Sequence, residues 1–259
     1  MAVLHLLSPA GYAAFLPRLR SNRTSNITLR KRLHVNALIT QPGTAEIEWS
    51  NLYSVSTTNF TMPSAVKYTP EGRYIVWGRT EYSVAFDSLT NTDIAGGRAT
   101  QFSQSVTLAA NSVLFDGEKL DVAIAPQTTV FLRDESGARL GAVAIARYDS
   151  GRNSMGATLS WSAATHSSAS NPAGAFDLGF GLGRRLPGFG LLGKFTPHAN
   201  VVWEKSTGIE AFVSVFEGVE YQMTERLAFD LSGQHFSVAG GTPDHQVVFG
   251  LTFNLGRLH

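Results

Sequence analysis

The final stretch of the chain, residues 245–257, alternates between large apolar residues and small or polar ones. On an extended strand, one face would carry Val247, Phe249, Leu251, Phe253 and Leu255, and the other Gln246, Gly250, Thr252, Asn254 and Gly256. The apolar face of a soluble β-sandwich mixes sizes to fit a partner sheet, whereas this face is uniformly large. The pattern therefore predicts a strand with one face turned toward lipid and the other toward a polar interior.

The composition narrows the class of protein. The chain has 259 residues, of which only 16% are charged, and 25 of them are glycine. Soluble domains average about 25% charged residues. No apolar run approaches the roughly 18 residues that a membrane helix requires. A helical membrane protein is therefore excluded, and a barrel that meets hydrocarbon on its outside is favoured.

Segments of period two recur from residue 41 to residue 257, and turn signals such as Asp116-Gly117 and Thr224-Glu225 separate them. They amount to about twelve strands, most of them near the roughly 9–11 residues that cross a bilayer at a tilt. We predict an all-β fold, a closed antiparallel transmembrane β-barrel of about twelve strands over residues 41–259. The facing of residues 141–148 stays open, because alanines occupy one side and Val143 and Ile145 the other.

Two further expectations concern the ends of the molecule. Residues 1–40 do not share the alternation, and their basic residues follow the apolar stretch 4–16 instead of preceding it. We interpret this segment as a leader or disordered region, and a short secretory signal remains the alternative.

If both ends of the barrel chain are periplasmic, the longer connections, near Asn91, Arg133, Ser167 and Gly240, all fall on the outer side, as is usual.

Three stretches carry a family resemblance. Residues Pro42 to Trp49 (PGTAEIEW), together with Glu225 to Leu231 (ERLAFDL) leading to Val247 to Phe253 (VVFGLTF), resemble the outer-membrane transporter family associated with the phenol meta-cleavage pathway. The similarity runs from about residue 41 to residue 257. It implies a β-barrel channel in the outer membrane of a Gram-negative bacterium, passing small and often aromatic or hydrophobic molecules.

The resemblance also implies partners. Residues 250–255 (GLTFNL) look like the terminal signal that the barrel-assembly machinery reads. The expected partners are therefore outer-membrane lipids, a small-molecule solute and that machinery.

A set of charged residues falls on the predicted inward faces, and we interpret it as the lining of the lumen. Its members are Glu46, Glu48, Arg73, Arg79, Glu81, Asp121, Lys194, Glu204, Glu210 and Asp230. Both signs are present, so these groups could pair in a network that fills the barrel. They could equally select which solutes pass. The sequence leaves both interpretations open.

The alternative to a channel is a lipid-modifying enzyme. His235 and Ser237 are two residues apart and share the predicted outward face, an arrangement that resembles lipid A deacylase barrels. Those enzymes also have an acidic residue on a neighbouring strand, and the outward face of the final strand offers none. We therefore predict no catalytic residues and a protein that is not an enzyme. A purely structural or adhesive barrel is the third possibility.

Other kinds of site find no support. A net charge of +1 provides no basic surface for nucleic acid, and the chain has no cysteine. His166, His198 and His245 share neither a strand face nor a ligand spacing, so no metal site is predicted. The glycines at 179, 181 and 183 alternate within a strand and do not form a nucleotide-binding loop, so no cofactor is expected.

Overall fold

The structure is a computed structural model. It describes residues 44–54, 60–68, 80–94, 97–101, 105–132, 137–167, 172–187, 190, 192–208, 210–224, 226–238 and 244–257. The strands are β1 (Thr44–Ser54), β2 (Phe60–Tyr68), β3 (Thr80–Ile94), β4 (Gly97–Gln101), β5 (Ser105–Asp116), β6 (Leu120–Phe131), β7 (Ala138–Asp149), β8 (Asn153–Ala164), β9 (Gly174–Arg184), β10 (Phe195–Ser206), β11 (Phe212–Gln222), β12 (Leu227–Val238) and β13 (Asp244–Arg257). A 3-10 turn at Leu192–Lys194 precedes β10. Within these ranges, no helix is long and apolar enough to span a membrane.

The sheet closes on itself. Consecutive strands pair antiparallel, except that β4 and β5 both pair with β3, and β1 also pairs with β13. The far half of β3 pairs with β4 and its first half with β5, so β4 and β5 are successive parts of one wall strand. The result is a closed antiparallel barrel of twelve strands, which confirms the predicted fold. Closure leaves no unpaired strand edge, as a bilayer requires.

The two rims of the barrel differ in how the chain connects. We call the rim that holds Thr44 and Arg257 the terminal end, and the opposite rim the loop end. The loop end carries connections such as 132–137 and 165–173, as expected. The terminal end, however, carries residues 69–79 and 185–194, which are at least as long. The expectation that the longer connections all lie at one end is therefore wrong.

The connection predicted near Asn91 is displaced. Asn91 lies within β3, which continues to Ile94 and pairs with β4 in a hairpin. This stretch is polar, yet the hairpin satisfies its backbone groups, so local polarity does not end the strand.

A turn that includes Thr207 and Gly208, which has a φ of 78°, precedes β11.

The turn between β5 and β6 follows the sequence prediction. The Gly117 amide donates to the Leu120 carbonyl at 2.9 Å. A Cβ atom at Gly117 would lie 2.7 Å from that same oxygen, so a larger residue would force the hairpin apart. Glycine is required here by close approach of the backbone.

The outward face is apolar and exposed. Phe180 and Trp161 are each 56% exposed, and the final strand shows the predicted alternation, with Val247, Phe249 and Phe253 outside. Phe249 also packs edge-on against Trp49 at 6.1 Å between ring centroids, which covers the β1–β13 closure with aromatic surface. Exposed apolar area on this scale would aggregate in water and is suited to lipid. The chain forms a closed β-barrel whose outer wall is suited to a membrane.

The inward face is polar and packed. Gln234 and Glu46 have no exposed surface, and on β7 the structure settles the facing that the sequence left open. Val143 and Arg147 are buried inward, whereas Leu140 and Tyr148 are exposed outward. Alternation of alanine with branched residues could not decide this, because both kinds fit either side of a wall.

Candidate functional site

The structure places half of the predicted lumen residues on the inward face. They are Glu46, Glu81, Asp121, Glu204 and Asp230. The first three lie within two residues of the terminal end of their strands, and Glu204 lies near the loop end of β10. The acidic groups are thus spread over the height of the lumen and do not form a single ring.

The remaining predicted residues have other outcomes. Lys194 lies in the 3-10 turn at the terminal end, where its Nζ donates to the Met223 carbonyl at 2.9 Å. Glu210 is exposed in the connection that precedes β11. Arg73 and Arg79 lie outside the described residues, and only the backbone of Glu48 is described. Lys194 therefore braces the rim between β11 and β12, and Glu210 lies outside the strand.

Sequence reasoning missed several charged groups that face inward. They are Lys67, Arg139, Arg147, Asp149, Asp177, His198 and Glu220. The period-two pattern already placed Asp177 opposite an apolar face, so it could have been included with the same signal. Arg139 and Arg147 lie on β7, whose facing the sequence left open.

A hydrogen-bonded cluster at the inward face joins β10 and β12. The His198 Nε2 lies 3.2 Å from the Ser232 Oγ and 3.4 Å from the Asp230 Oδ2. The Ser232 hydroxyl donates to the other oxygen of Asp230. Because the serine proton is used in that bond, Nε2 of His198 must carry the hydrogen that it shares with these two acceptors. This is not a catalytic triad, in which serine and carboxylate bind opposite ring nitrogens.

Gly218 makes this cluster possible. In register, His198 pairs with Gly218 on β11, and Gly218 pairs with Ser232 on β12. A Cβ atom at Gly218 would lie 2.3 Å from the Ser232 Oγ and 2.6 Å from the Leu231 carbonyl. The histidine therefore reaches across an intervening strand that has no side chain at that level.

A second inward cluster lies near the loop end. Arg139 donates to the Ser162 hydroxyl at 2.8 Å and to the Pro172 carbonyl. Asp177 accepts from the Ser160 hydroxyl and pairs in register with Glu204 on β10. Two carboxylates thus face each other across adjacent strands, with one nearby guanidinium.

A third polar cluster lies on the outward face. The His235 Nε2 is 3.3 Å from the Glu217 Oε1, and its Nδ1 is 2.6 Å from the His245 Nδ1. The three side chains come from β12, β11 and β13, and His235 and Glu217 are both exposed. The acidic neighbour that the final strand could not supply is therefore present on the preceding strand, β11.

Neither histidine cluster has the geometry of a metal centre. Across the part of the chain that the structure describes, no group of three or more His, Cys, Asp or Glu side chains could hold a metal ion. In the outward cluster, Glu217 lies on the Nε2 side of His235 and His245 on the Nδ1 side, so the three cannot converge on one ion.

Comparison with known structures supports the fold. The NanC porin matches with a TM-score of 0.57 at 10% sequence identity, covering 80% of this chain and 98% of that chain. The KdgM porin matches with a TM-score of 0.52 at 10% identity, covering 83% and 99%, and KdgM with disordered oligogalacturonate matches with a TM-score of 0.51 at 8% identity. No protein-family model and no curated protein matches the sequence. At this level of identity, the likeness establishes a porin-like barrel.

Proposed function

We propose that the protein is a passive channel for small molecules across the bacterial outer membrane. The observation that supports this most is the two-sided wall, which is apolar and exposed outside and polar inside over a closed twelve-stranded barrel. A barrel used only as an anchor has no need for a lumen lined with carboxylates, amides and hydroxyls, because an apolar interior would be less costly to bury.

The size of the lumen favours small solutes. Eight strands enclose just enough space for side chains, whereas sixteen leave a wide aqueous channel, so twelve strands leave a narrow one. Inward groups such as Asn200 and Ser214 are almost fully covered by their neighbours. The proposed solutes include aromatic or hydrophobic ones, as the family resemblance suggests, and Phe216 on the inward face provides an apolar contact for them.

Electrical recording tests the channel directly. Purified protein reconstituted in planar bilayers should give discrete conductance steps, and liposomes that contain it should swell in small neutral solutes such as phenol or a monosaccharide. Folding is verified by the heat-modifiable migration of the barrel on gels. Folded protein that neither conducts nor causes swelling would leave a structural or adhesive barrel as the better proposal.

The outward cluster favours a second candidate, a lipid-modifying enzyme. Glu217 could orient His235, which lies two residues before Ser237 on the same strand. Both ring nitrogens of His235 are already engaged, however, by Glu217 and by His245, which leaves neither for a serine. We therefore rank this activity below the channel. Hydrolysis of lipid A or phospholipid by purified protein, abolished by His235→Ala, would reverse that order.

Assembly is the last part of the proposal. Residues 250–255 lie in the half of β13 that is nearer the terminal end, beside β1. A recognition segment there would be accessible before β1 and β13 pair. We propose that the barrel-assembly machinery binds this segment. Replacing Phe253 by Ser should slow folding into membranes that contain the machinery more than folding into pure lipid. Equal slowing in both would count against recognition.

A further inference from the structure

The described part of the lumen holds more acidic groups than basic ones. Among strand residues whose side chains are described, the inward acids are Glu46, Glu81, Asp121, Asp149, Asp177, Glu204, Glu220 and Asp230. The inward Lys and Arg residues are Lys67, Arg139 and Arg147. Eight acidic groups less three basic ones leave an excess of five acidic groups in the described lumen. A narrow lumen with low-dielectric walls strengthens the field of those that are ionised.

Midway along the lumen, two amide side chains present oxygen atoms that accept no hydrogen bond from the described residues. They belong to Asn200 and Gln246, at the two ends of a register row that also holds Phe216 and Gln234 across β10, β11, β12 and β13. Asn200 is 2% exposed and Gln246 8% exposed, and within the described ranges neither the Asn200 Oδ1 nor the Gln246 Oε1 has a donor. A buried acceptor left unsatisfied is costly, so such oxygens are suited to a donor or a cation.

On β9, three successive inward positions beside this row are glycines. Gly179, Gly181 and Gly183 on β9 pair in register with Val202, Asn200 and His198 on β10. Asp177 and Glu204 face each other two residues nearer the loop end on the same two strands. These inward groups form a strip from the loop end toward the terminal end. It begins at Asp177 and Glu204, passes Asn200 beside Gly181, and ends at His198 and Asp230.

Of the carboxylates on this strip, Glu204 is the least compensated. Its register neighbours are Asp177 on β9 and Phe212 on β11, and in the described ranges it makes no salt bridge. Two adjacent carboxylates in a partly buried wall are costly unless a positive charge neutralises them. Arg139 interacts with Asp177 from the far side, so among the described residues the Glu204 carboxyl has no such cation beside it and faces the lumen.

We propose that the lumen selects small cations, including organic ammonium ions, over anions. Asp177 and Glu204 attract the cation at the loop end, and the amide oxygens of Asn200 and Gln246 replace part of its hydration shell midway. Ammonium groups suit this lining particularly well, since their N–H groups can donate to these two amide oxygens. The inference rests on the proposed channel function and names its solute class.

Reversal potentials in planar bilayers test the proposal, with gradients of potassium chloride and then of methylammonium chloride. The wild-type protein should favour the cation in both salts. The Asp177→Asn/Glu204→Gln double variant should lower the ratio of cation to anion permeability severalfold, and Asn200→Asp should raise it. Glu217→Gln is the matched control, because it removes one negative charge from the outward face and should leave the ratio unchanged.

The possible outcomes separate this inference from the channel itself. Folded protein that conducts with a preference for chloride overturns the cation selectivity and leaves the channel in place. A ratio that stays unchanged in the double variant overturns the role of Asp177 and Glu204. An equal shift in Glu217→Gln shows that surface charge, and not the lumen, sets selectivity. Folded protein without conductance removes both proposals.

Discussion

Two contacts between a histidine and a carboxylate lie on opposite faces of the wall formed by β10, β11 and β12. His198 meets Asp230 and Ser232 on the inside, and His235 meets Glu217 on the outside. Glu217 and Gly218 are consecutive residues of β11, so one helps form the outer contact and the other makes room for the inner one. The same kinds of side chain thus serve different purposes because strand alternation turns them to opposite faces.

The difference between the clusters is one of burial. The inner histidine and Asp230 are largely enclosed, so removing one leaves the other with only Ser232 as a partner in a medium of low dielectric constant. The outer histidine and Glu217 are exposed, so neither is enclosed when the other is removed. We therefore expect mutations of the inner cluster to affect stability and mutations of the outer cluster to have little effect.

The largest effect should come from a charge placed on the apolar part of the outer face. Phe249→Arg should lower the free energy of unfolding in lipid by about 2–4 kcal/mol, as expected for a position near the bilayer midplane. Leu140→Arg lies on the same face, two residues from the loop end of β7, and should cost only about 0–1 kcal/mol. Urea titrations of both variants in lipid vesicles measure this. Similar costs would show that Leu140 is as deep in the bilayer as Phe249.

A smaller effect is expected from filling the gap at Gly218. Gly218→Ala places a methyl group within 2.3 Å of the Ser232 Oγ, so strands or side chains must move at a cost of about 1–3 kcal/mol. Gly156→Ala on β8 is the control, since the nearest atom to its Cβ would be 3.8 Å away. Denaturant midpoints of the two variants should differ accordingly. Matching midpoints would mean that His198 does not need the gap.

The smallest effects separate the two histidines. A double-mutant cycle of His198→Ala with Asp230→Asn should give a coupling of about 1 kcal/mol, as for a buried hydrogen bond. The corresponding cycle of His235→Ala with Glu217→Gln should give about 0–0.5 kcal/mol, because that contact is exposed. A larger coupling at the outer pair would indicate that it binds a ligand or lies in a dry environment.

Much of the wall could be predicted from the sequence. Alternation alone assigned the outward face of the final strand, because Val247, Phe249 and Phe253 are too uniform for a soluble core. Alternation also predicted that Glu46 and Asp230 face inward, as they do. These assignments depend only on the period of a strand, which is a local property.

The contacts between strands could not be predicted in the same way. His198 and Asp230 are 32 residues apart in sequence, and they meet only because β10, β11 and β12 adopt one particular register. The acid beside His235 was sought on the final strand and lies instead on β11. The boundary of β3 was missed because pairing with β4 overrides the polarity of its sequence. Register and pairing are properties of the whole sheet.

The pairing of β1 with β13 constrains when the protein can enter a membrane. Thr44 pairs with Arg257, so the last contact of the ring joins residues separated by almost the whole length of the barrel chain. Until the ribosome has added residue 257, β1 and β12 would each end in an open edge, which hydrocarbon cannot solvate. Strand-by-strand insertion during synthesis is therefore unfavourable. The order in which its ends are made therefore requires the chain to stay in a water-compatible form until β13 is complete.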